Sequence, residues 1–162
     1  ILNGGVDDDV NIYFTNNHIL FEFDDTIVVS RLIEATNYFD TDKMISNDYK
    51  TKITINKKEM ADCIDRATLL IKEGDKKPVF LTIKDTEMEL SINTFIGSMD
   101  ESIPISKEGS DIMISFNPKF LIDILKVLDQ EQVSIFFTNP KAPCFIRDEE
   151  NSYIYIVLPV VQ

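Results

Sequence analysis

Apolar and polar residues alternate along most of this chain, the period expected of half-buried β-strands. Val10-Asn-Ile-Tyr-Phe14, Ile19 to Phe23 and Thr26 to Ile33 read as three short strands. Asn16-Asn17 and Asp24-Asp25 lie between them, residues that tolerate turn backbone. Residues 35–49 lose the alternation and read as a linker, although Asn37 to Ile45 carries three large apolar side chains. From Lys50 the pattern becomes that of a whole domain. It predicts a strand at 52–55, a helix, strands at 79–83, 87–92, 95–103 and 112–116, a second helix, and strands at 133–138, 143–147 and 152–158.

Both helices announce themselves by period and by cap. Asn56 with Glu59 three residues on is a variant capping box, and Met60, Ile64, Ala67 and Ile71 recur at helical spacing as a buried stripe. Gly74 is the expected stop. Asn117-Pro118 starts the second helix, with a cap followed by proline at the first position, and Leu121, Ile124, Leu125 and Leu128 form its stripe. Leu69 falls on the side opposite Met60, which marks it as a candidate contact with another subunit. The carboxyl end is a β-rich run that meets Pro159, yet Val160 and Val161 beyond it are still apolar. Pro159 stops central-strand pairing, so two readings stand: a last core strand with a sticky remnant, or a free tail forming one wall of a surface groove.

Composition narrows the function classes. The 162 residues suffice for one good domain and part of another. A net charge of −12 repels nucleic acid and anionic membranes, so any nucleic-acid role must rest on a local basic surface or on topology. Cys63 and Cys144 sit in apolar patterns, as buried thiols of a reducing compartment do. His18 is the one histidine, and the sequence offers no Cys/His metal spacing, no nucleophile paired with a base and no glycine-rich phosphate loop. The sequence thus offers no cofactor or metal site, and an enzyme stays open only as the least favoured class. The apolar run from Tyr153 to Val161 is far short of the roughly 18 residues a membrane span requires. With no signal-peptide pattern at Ile1, a cytoplasmic location is expected.

An internal repeat sets the organisation. Val10-Asn-Ile-Tyr-Phe-Thr-Asn16 returns as Val133-Ser-Ile-Phe-Phe-Thr-Asn139, an offset of 123 residues. Each copy leads into a second strand, an acidic turn and a third β-branched strand. The offset is the size of a domain rather than of a solenoid unit. The chain thus reads as the end of one repeat, a linker and a whole repeat.

At this point specific segments resemble a known family. Ser30-Arg-Leu-Ile-Glu34, Asn37-Tyr-Phe-Asp-Thr41, Ile64-Asp-Arg-Ala67, Ile114-Ser-Phe-Asn-Pro-Lys-Phe120, Asp123-Ile-Leu-Lys-Val-Leu128 and Val157-Leu-Pro-Val160 resemble, in order and spacing, the sliding clamp family, the beta subunit of bacterial DNA polymerase III. The resemblance implies an α+β DNA-clamp fold, antiparallel sheets with two helices per domain. It divides the chain into the last strands of a second clamp domain (1–34), an interdomain linker (35–49) and a third domain (50–162). It implies a non-catalytic processivity factor, a ring of two subunits that encircles duplex DNA without sequence preference and tethers partners, while this chain alone would hold DNA weakly. Those partners are the replicative polymerase, the clamp loader and repair proteins, each through a short clamp-binding peptide. A clamp-like module that recruits proteins without encircling DNA is the alternative.

Residue by residue, the resemblance assigns the peptide groove to Lys43, Met44, Asn117, Phe120, Ile156, Val157, Leu158, Pro159, Val160 and Val161. The DNA-facing positions are Lys58, Arg66, Lys72, Lys119 and Lys126, with Asp62, Asp65 and Asp123 among them. Leu69, Leu70, Asp100 and Glu101 fall at the subunit interface. Ala35-Thr36 stands where the family commonly has one glycine, and Phe39 and Ser46 replace prolines. The family's Thr-Gly-His-Arg wall of the groove lies in a part of the second domain that this sequence does not include, so weakened peptide affinity is expected of this chain.

Overall fold

The computed structural model describes residues 9–33, 45, 48–72 and 74–161. They form two compact units that divide between residues 45 and 46. The linker expected at 35–49 lies mostly outside the described residues.

In the first unit, β1 (Asn11–Phe14), β2 (His18–Phe23) and β3 (Thr26–Arg31) make an antiparallel sheet in chain order. Asp24 takes a positive φ of 49° in the tight β2–β3 turn, a conformation in which Asp costs less than most residues.

The second unit contains β4 (Thr51–Asn56), α1 (Lys57–Thr68), β5 (Val79–Lys84), β6 (Glu87–Thr94), β7 (Gly97–Gly109), β8 (Ile112–Phe116), α2 (Pro118–Val127), β9 (Gln132–Phe137), β10 (Cys144–Arg147) and β11 (Ile154–Val157). Its strands form one antiparallel sheet in the order β11-β10-β9-β4-β7-β6-β5-β8. The alternation in the sequence becomes burial: Ile53, Ile55, Leu81, Ile83, Leu90 and Ile92 point inward, and their neighbours along each strand point out. Met60, Cys63, Ile64 and Ala67 of α1 and Leu121, Ile122 and Leu125 of α2 complete the core. Each fully buried Ile, Leu or Met among them contributes about 1.5–3 kcal/mol by leaving water.

Both caps form as expected. Asn56 Oδ1 accepts the Glu59 N–H, and Asn117 Oδ1 accepts the Lys119 N–H, each at 3.0 Å. The Lys57 ammonium donates to the Leu128 carbonyl at 2.6 Å, so the first residue of α1 satisfies an open carbonyl at the end of α2. Helix α1 stops six residues before Gly74. Leu69, Leu70 and Ile71 continue in tight turns, their N–H groups donating to the Arg66, Ala67 and Thr68 carbonyls at 3.2, 3.2 and 2.9 Å. Such turns bring side chains back at nearly the helical interval, which is why Ile71 keeps the stripe although the helix has ended. Phe95 and Ile96, expected in a strand, instead make the tip of the β6–β7 hairpin. The Thr94 hydroxyl closes this tip by donating to the Gly97 carbonyl at 3.0 Å and accepting the Ile96 N–H at 3.3 Å.

The two units carry the repeat in register as well as in letters. In the first, Ile12 pairs with Phe21 and Phe21 with Val28; in the second, Ile135 pairs with Ile146 and Ile146 with Tyr155. The next ladders, Tyr13–Leu20–Val29 and Phe136–Phe145–Ile156, match too. Burial separates the copies: Phe137 is 1% exposed, whereas its counterpart Phe14 is 70% exposed. Val10 and Ile12 are likewise open where Val133 and Ile135 are core.

A second symmetry runs inside the second unit. Its halves, β4-α1-β5-β6-β7 and β8-α2-β9-β10-β11, have the same element order, and both pass from the first strand through an Asn cap into a helix. The 13-residue β7 changes partner along its length. Gly97 to Pro104 pairs with β6, and Ile105 to Gly109 pairs with β4. β11 repeats the manoeuvre: it pairs with β10, meets Pro159, and then Val160 reaches β8. Pro104 and Pro159 stand at the two changes of partner, where a missing donor costs least. From Val157 to Val160 the chain spans at most about 10 Å. Strands β11 and β8, the two outer strands of the sheet order, must therefore lie close together.

Candidate functional site

The tail beyond Pro159 is tied down. The Val160 N–H donates to the Ser115 carbonyl at 2.8 Å, and the Ser115 hydroxyl donates back to the Val160 carbonyl at 2.7 Å. This corrects the free-tail reading of Val160: Pro159 ends one pairing and the tail begins another. Because Ser115 lies two residues before the cap Asn117, the same bonds fix the tail against the strand that leads into α2. Phe120, Ile156, Leu158, Val160 and Val161 remain exposed, an unusual run of apolar side chains for one end of a domain. Val157 does not join them. It is buried in the core, because strand alternation turns it inward between Ile156 and Leu158. Pro159 is half-buried. Val160 and Val161 also border a hollow of about 230 Å³ whose other walls include Phe80, Met113, Pro140 and Lys141. Lys43 and Met44 lie outside the described residues.

The basic positions fare unequally. Lys58 on α1 and Lys119 and Lys126 on α2 are exposed, with exposed Asp62, Asp65 and Asp123 between them. Arg66 is held by Glu101: its Nε donates to one carboxylate oxygen at 3.0 Å and its Nη2 to the other. That two-point pairing takes much of its charge away from a nucleic-acid role. Lys72 is not on the polar side of α1 at all, since the helix ends at Thr68. Its ammonium sits 5.7 Å from the centroid of the Phe95 ring, at the β6–β7 tip.

The expected subunit contact is a strand edge with apolar neighbours. Along Gly97 to Ile103, β7 pairs with β6 on one side and has no strand partner on the other among the described residues. Asp100 is exposed on this stretch, and Glu101 points to the helix side, where it meets Arg66. Leu69 is 78% exposed, whereas Leu70 packs partly on the core, its Cδ2 3.5 Å from where a Cβ on Gly97 would stand. The sequence reading missed Phe95 and Ile96 here. The signal was Thr94-Phe-Ile-Gly97, in which a hydroxyl residue and a glycine bracket two apolar residues in a turn.

Arg66 hydrogen bonds hold the Glu101 carboxyl below its ordinary range, opposed by partial desolvation. A depressed folded-state pKa means that the pair's contribution is complete above the ordinary carboxylate range and fades as pH falls through the lowered value. Glu101→Gln should therefore flatten the acid-side slope of melting temperature against pH while leaving the slope above neutrality alone. Parallel thermal melts from acid to neutral pH check this, and identical acid slopes would refute it. Cys63, beside this pair, is a free thiol that burial, with a smaller push from Glu101, raises to about 11. Burial raises Cys144 to about 12.

Comparison with known proteins places this geometry. The solved structure of a putative DNA polymerase III beta subunit from Eubacterium rectale ATCC 33656 superposes with a TM-score of 0.88 at 63% identity, over 98% of this chain and 43% of that one. The beta sliding clamp of Bacillus subtilis (strain 168) is 38% identical over 155 residues, 93% of this chain and 41% of the relative. That of Staphylococcus aureus (strain N315) is 32% identical over 157 residues, 95% and 41%. The fold is the α+β clamp fold of antiparallel sheets with paired helices. The chain belongs to the DNA polymerase III beta subunit family, and residues 42–161 match the model of that family's C-terminal domain. It spans about two fifths of the length of the relatives it matches, 41% for both bacterial clamps.

Proposed function

We propose that this chain is the carboxyl-terminal part of a sliding clamp, a non-catalytic processivity factor that encircles duplex DNA and tethers the replicative polymerase. In this reading the first unit is the end of a second clamp domain, and the second unit is a complete third domain. The observation that carries it is the pair of related strand edges in the second unit. The outer edge of β7 and the outer edge of β11 are equivalent under the internal symmetry, and neither has a strand partner among the described residues. Head-to-tail pairing of such edges builds a heterologous assembly that becomes a ring when the rotation closes. The exposed apolar face of β1–β3, in register with a buried face of β9–β11, supports tandem domains of one kind.

DNA is then held by topology. Lys58, Lys119 and Lys126 supply only sequence-independent attraction to phosphates, diluted by the aspartates among them, which suits a protein that must slide. Partners dock by a short, partly apolar peptide on Phe120, Ile156, Leu158, Val160 and Val161 beside Asn117. Leu69, Leu70, Asp100 and Glu101 belong to the seam of a homodimeric ring, with Arg66 engaged inside the chain. The setting is the cytoplasm. No helix among the described residues is long and apolar enough to cross a membrane.

The test is retention on DNA by a full-length subunit ending in this chain, loaded on nicked circular duplex. It should stay on the circle through gel filtration in high salt and be lost once the circle is cut. Equal loss from both would sink encirclement. This chain alone should bind linear duplex weakly, and raising salt should abolish that binding; a tight, salt-insensitive mobility shift would contradict the assignment.

A further inference from the structure

Phe95 is the most exposed large apolar side chain among the described residues, at 97%. Ile96 beside it is half exposed, and Leu69 stands open at the end of α1. The parts adjoin: Lys72, three residues past Leu69, lies over the Phe95 ring, and Gly97, at the base of the tip, abuts Leu70. In water at a hairpin tip, the ring gains this domain little beyond that exposed cation–π contact. Directly after it runs the open edge of β7 from Gly97 to Ile103, a row of backbone donors and acceptors without strand partners among the described residues. Open backbone next to an exposed apolar knob fits one kind of occupant, an extended strand edge with apolar side chains.

The chain displays that complement. The outer edge of β3 has no strand partner among the described residues, and Ile27 and Val29 are exposed along it. It ends in Arg31, opposite in sign to the exposed Asp100 on the β7 edge. In the register of the repeat β3 is the counterpart of β11, the last strand of a clamp domain.

We propose that Phe95 is the anchor of the subunit seam: its ring inserts against the last-strand edge of a clamp domain on a second copy, with Ile96 and Leu69 closing water out around it. The inference rests on the ring reading above and adds a specificity-determining residue to it. With Arg66 and Glu101 spent on each other, apolar contacts carry most of the seam beside one exposed charge pair, and its strength varies little with salt.

The experiment is the dimer dissociation constant of a full-length subunit ending in this chain, by sedimentation, for wild type, Phe95→Ala, Leu69→Ala and Asp100→Asn. Phe95→Ala should weaken the dimer about tenfold or more, as removal of a central aromatic anchor does. Leu69→Ala should weaken it less, and Asp100→Asn less than about threefold. Wild-type affinity should change less than about threefold between 0.1 and 0.5 M salt. Because Phe95 touches no core, its melting temperature serves as the folding control and should not move. A dimer in which Phe95→Ala is within twofold of wild type overturns the anchor while leaving the ring intact. A dimer that dissociates steeply with salt overturns the apolar seam. A wild-type subunit that stays monomeric at every concentration removes the ring reading itself.

Discussion

Alanine at Gly109 should cost the second unit about 2–4 kcal/mol, a large share of the roughly 5–15 kcal/mol that holds a domain together. Gly109 has a φ of +96°, where an L side chain is strained. A Cβ there would lie 1.9 Å from the Lys50 carbonyl oxygen and 3.1 Å from the Thr51 Cα. Both are backbone atoms, so no rotamer change relieves the overlap. Nor is the backbone free to yield. The Lys50 N–H donates to the Phe137 carbonyl at 2.8 Å, and the Thr51 hydroxyl donates to the Ser110 carbonyl at 2.7 Å. The site is the end of the β4–β7 pairing, so relief would have to come from pulling those strands apart. Gly74→Ala is the control, since Gly74 has a similar φ of +90° but nothing within 4 Å of the added atom. It should cost about 1 kcal/mol, the conformational part alone. Urea unfolding of both variants measures the difference. Equal midpoints would show that the overlap is relaxed away and the packing argument is mistaken.

Removal of residues 159–162 should do more harm to partner binding than to folding. The deletion takes away two hydrogen bonds between Val160 and Ser115, worth roughly 2 kcal/mol together. It bares the edge of β8 and strips Val160 and Val161 from the proposed peptide site. Affinity for a clamp-binding peptide, titrated calorimetrically on the full-length subunit, should fall by about 30-fold or more, the scale of a hot-spot loss. Ser115→Ala separates the two roles. It removes one of the two bonds and leaves every apolar side chain of the tail in place, so peptide affinity should fall by less than the truncation and stability by about 1 kcal/mol. If the truncated subunit bound peptide within threefold of wild type, the tail would be a strand closure and nothing more.

How much of this was legible in the letters depended on the range of the interaction. The helix starts were, because a cap is a bond between residues two or three apart: Asn56 to Glu59, Asn117 to Lys119. The buried stripe of α1 was read correctly at Met60, Ile64 and Ala67, and Cys63 was read as a buried thiol from its apolar surroundings, which the core contains. The repeat was legible as Val10 to Asn16 against Val133 to Asn139. The two strands that follow in each copy were legible as well, but their exact register was not, because the later hairpins are each two residues longer in the second copy and the offset drifts out of any fixed-period match.

The sequence by itself determined most of the strands and both helix starts, which of their faces are apolar, the net charge that confines any nucleic-acid role to local basic faces or topology, and the family to which the segments belong. Only the tertiary structure decided what each strand pairs with. Ile103-Pro-Ile105 and Leu158-Pro-Val160 are short, similar and unremarkable as text, and nothing within a few residues of either prescribes a change of partner. The partners lie elsewhere in the chain, Ile55 for Ile105 and Ser115 for Val160, and are chosen by closure of the whole sheet. The same closure turned Val157 inward, spent Arg66 on Glu101, and left Phe95 exposed at a hairpin tip. Local periodicity reports burial because burial is a property of one face of one element. Pairing is a property of two distant elements at once, and a chain read in order holds no record of it.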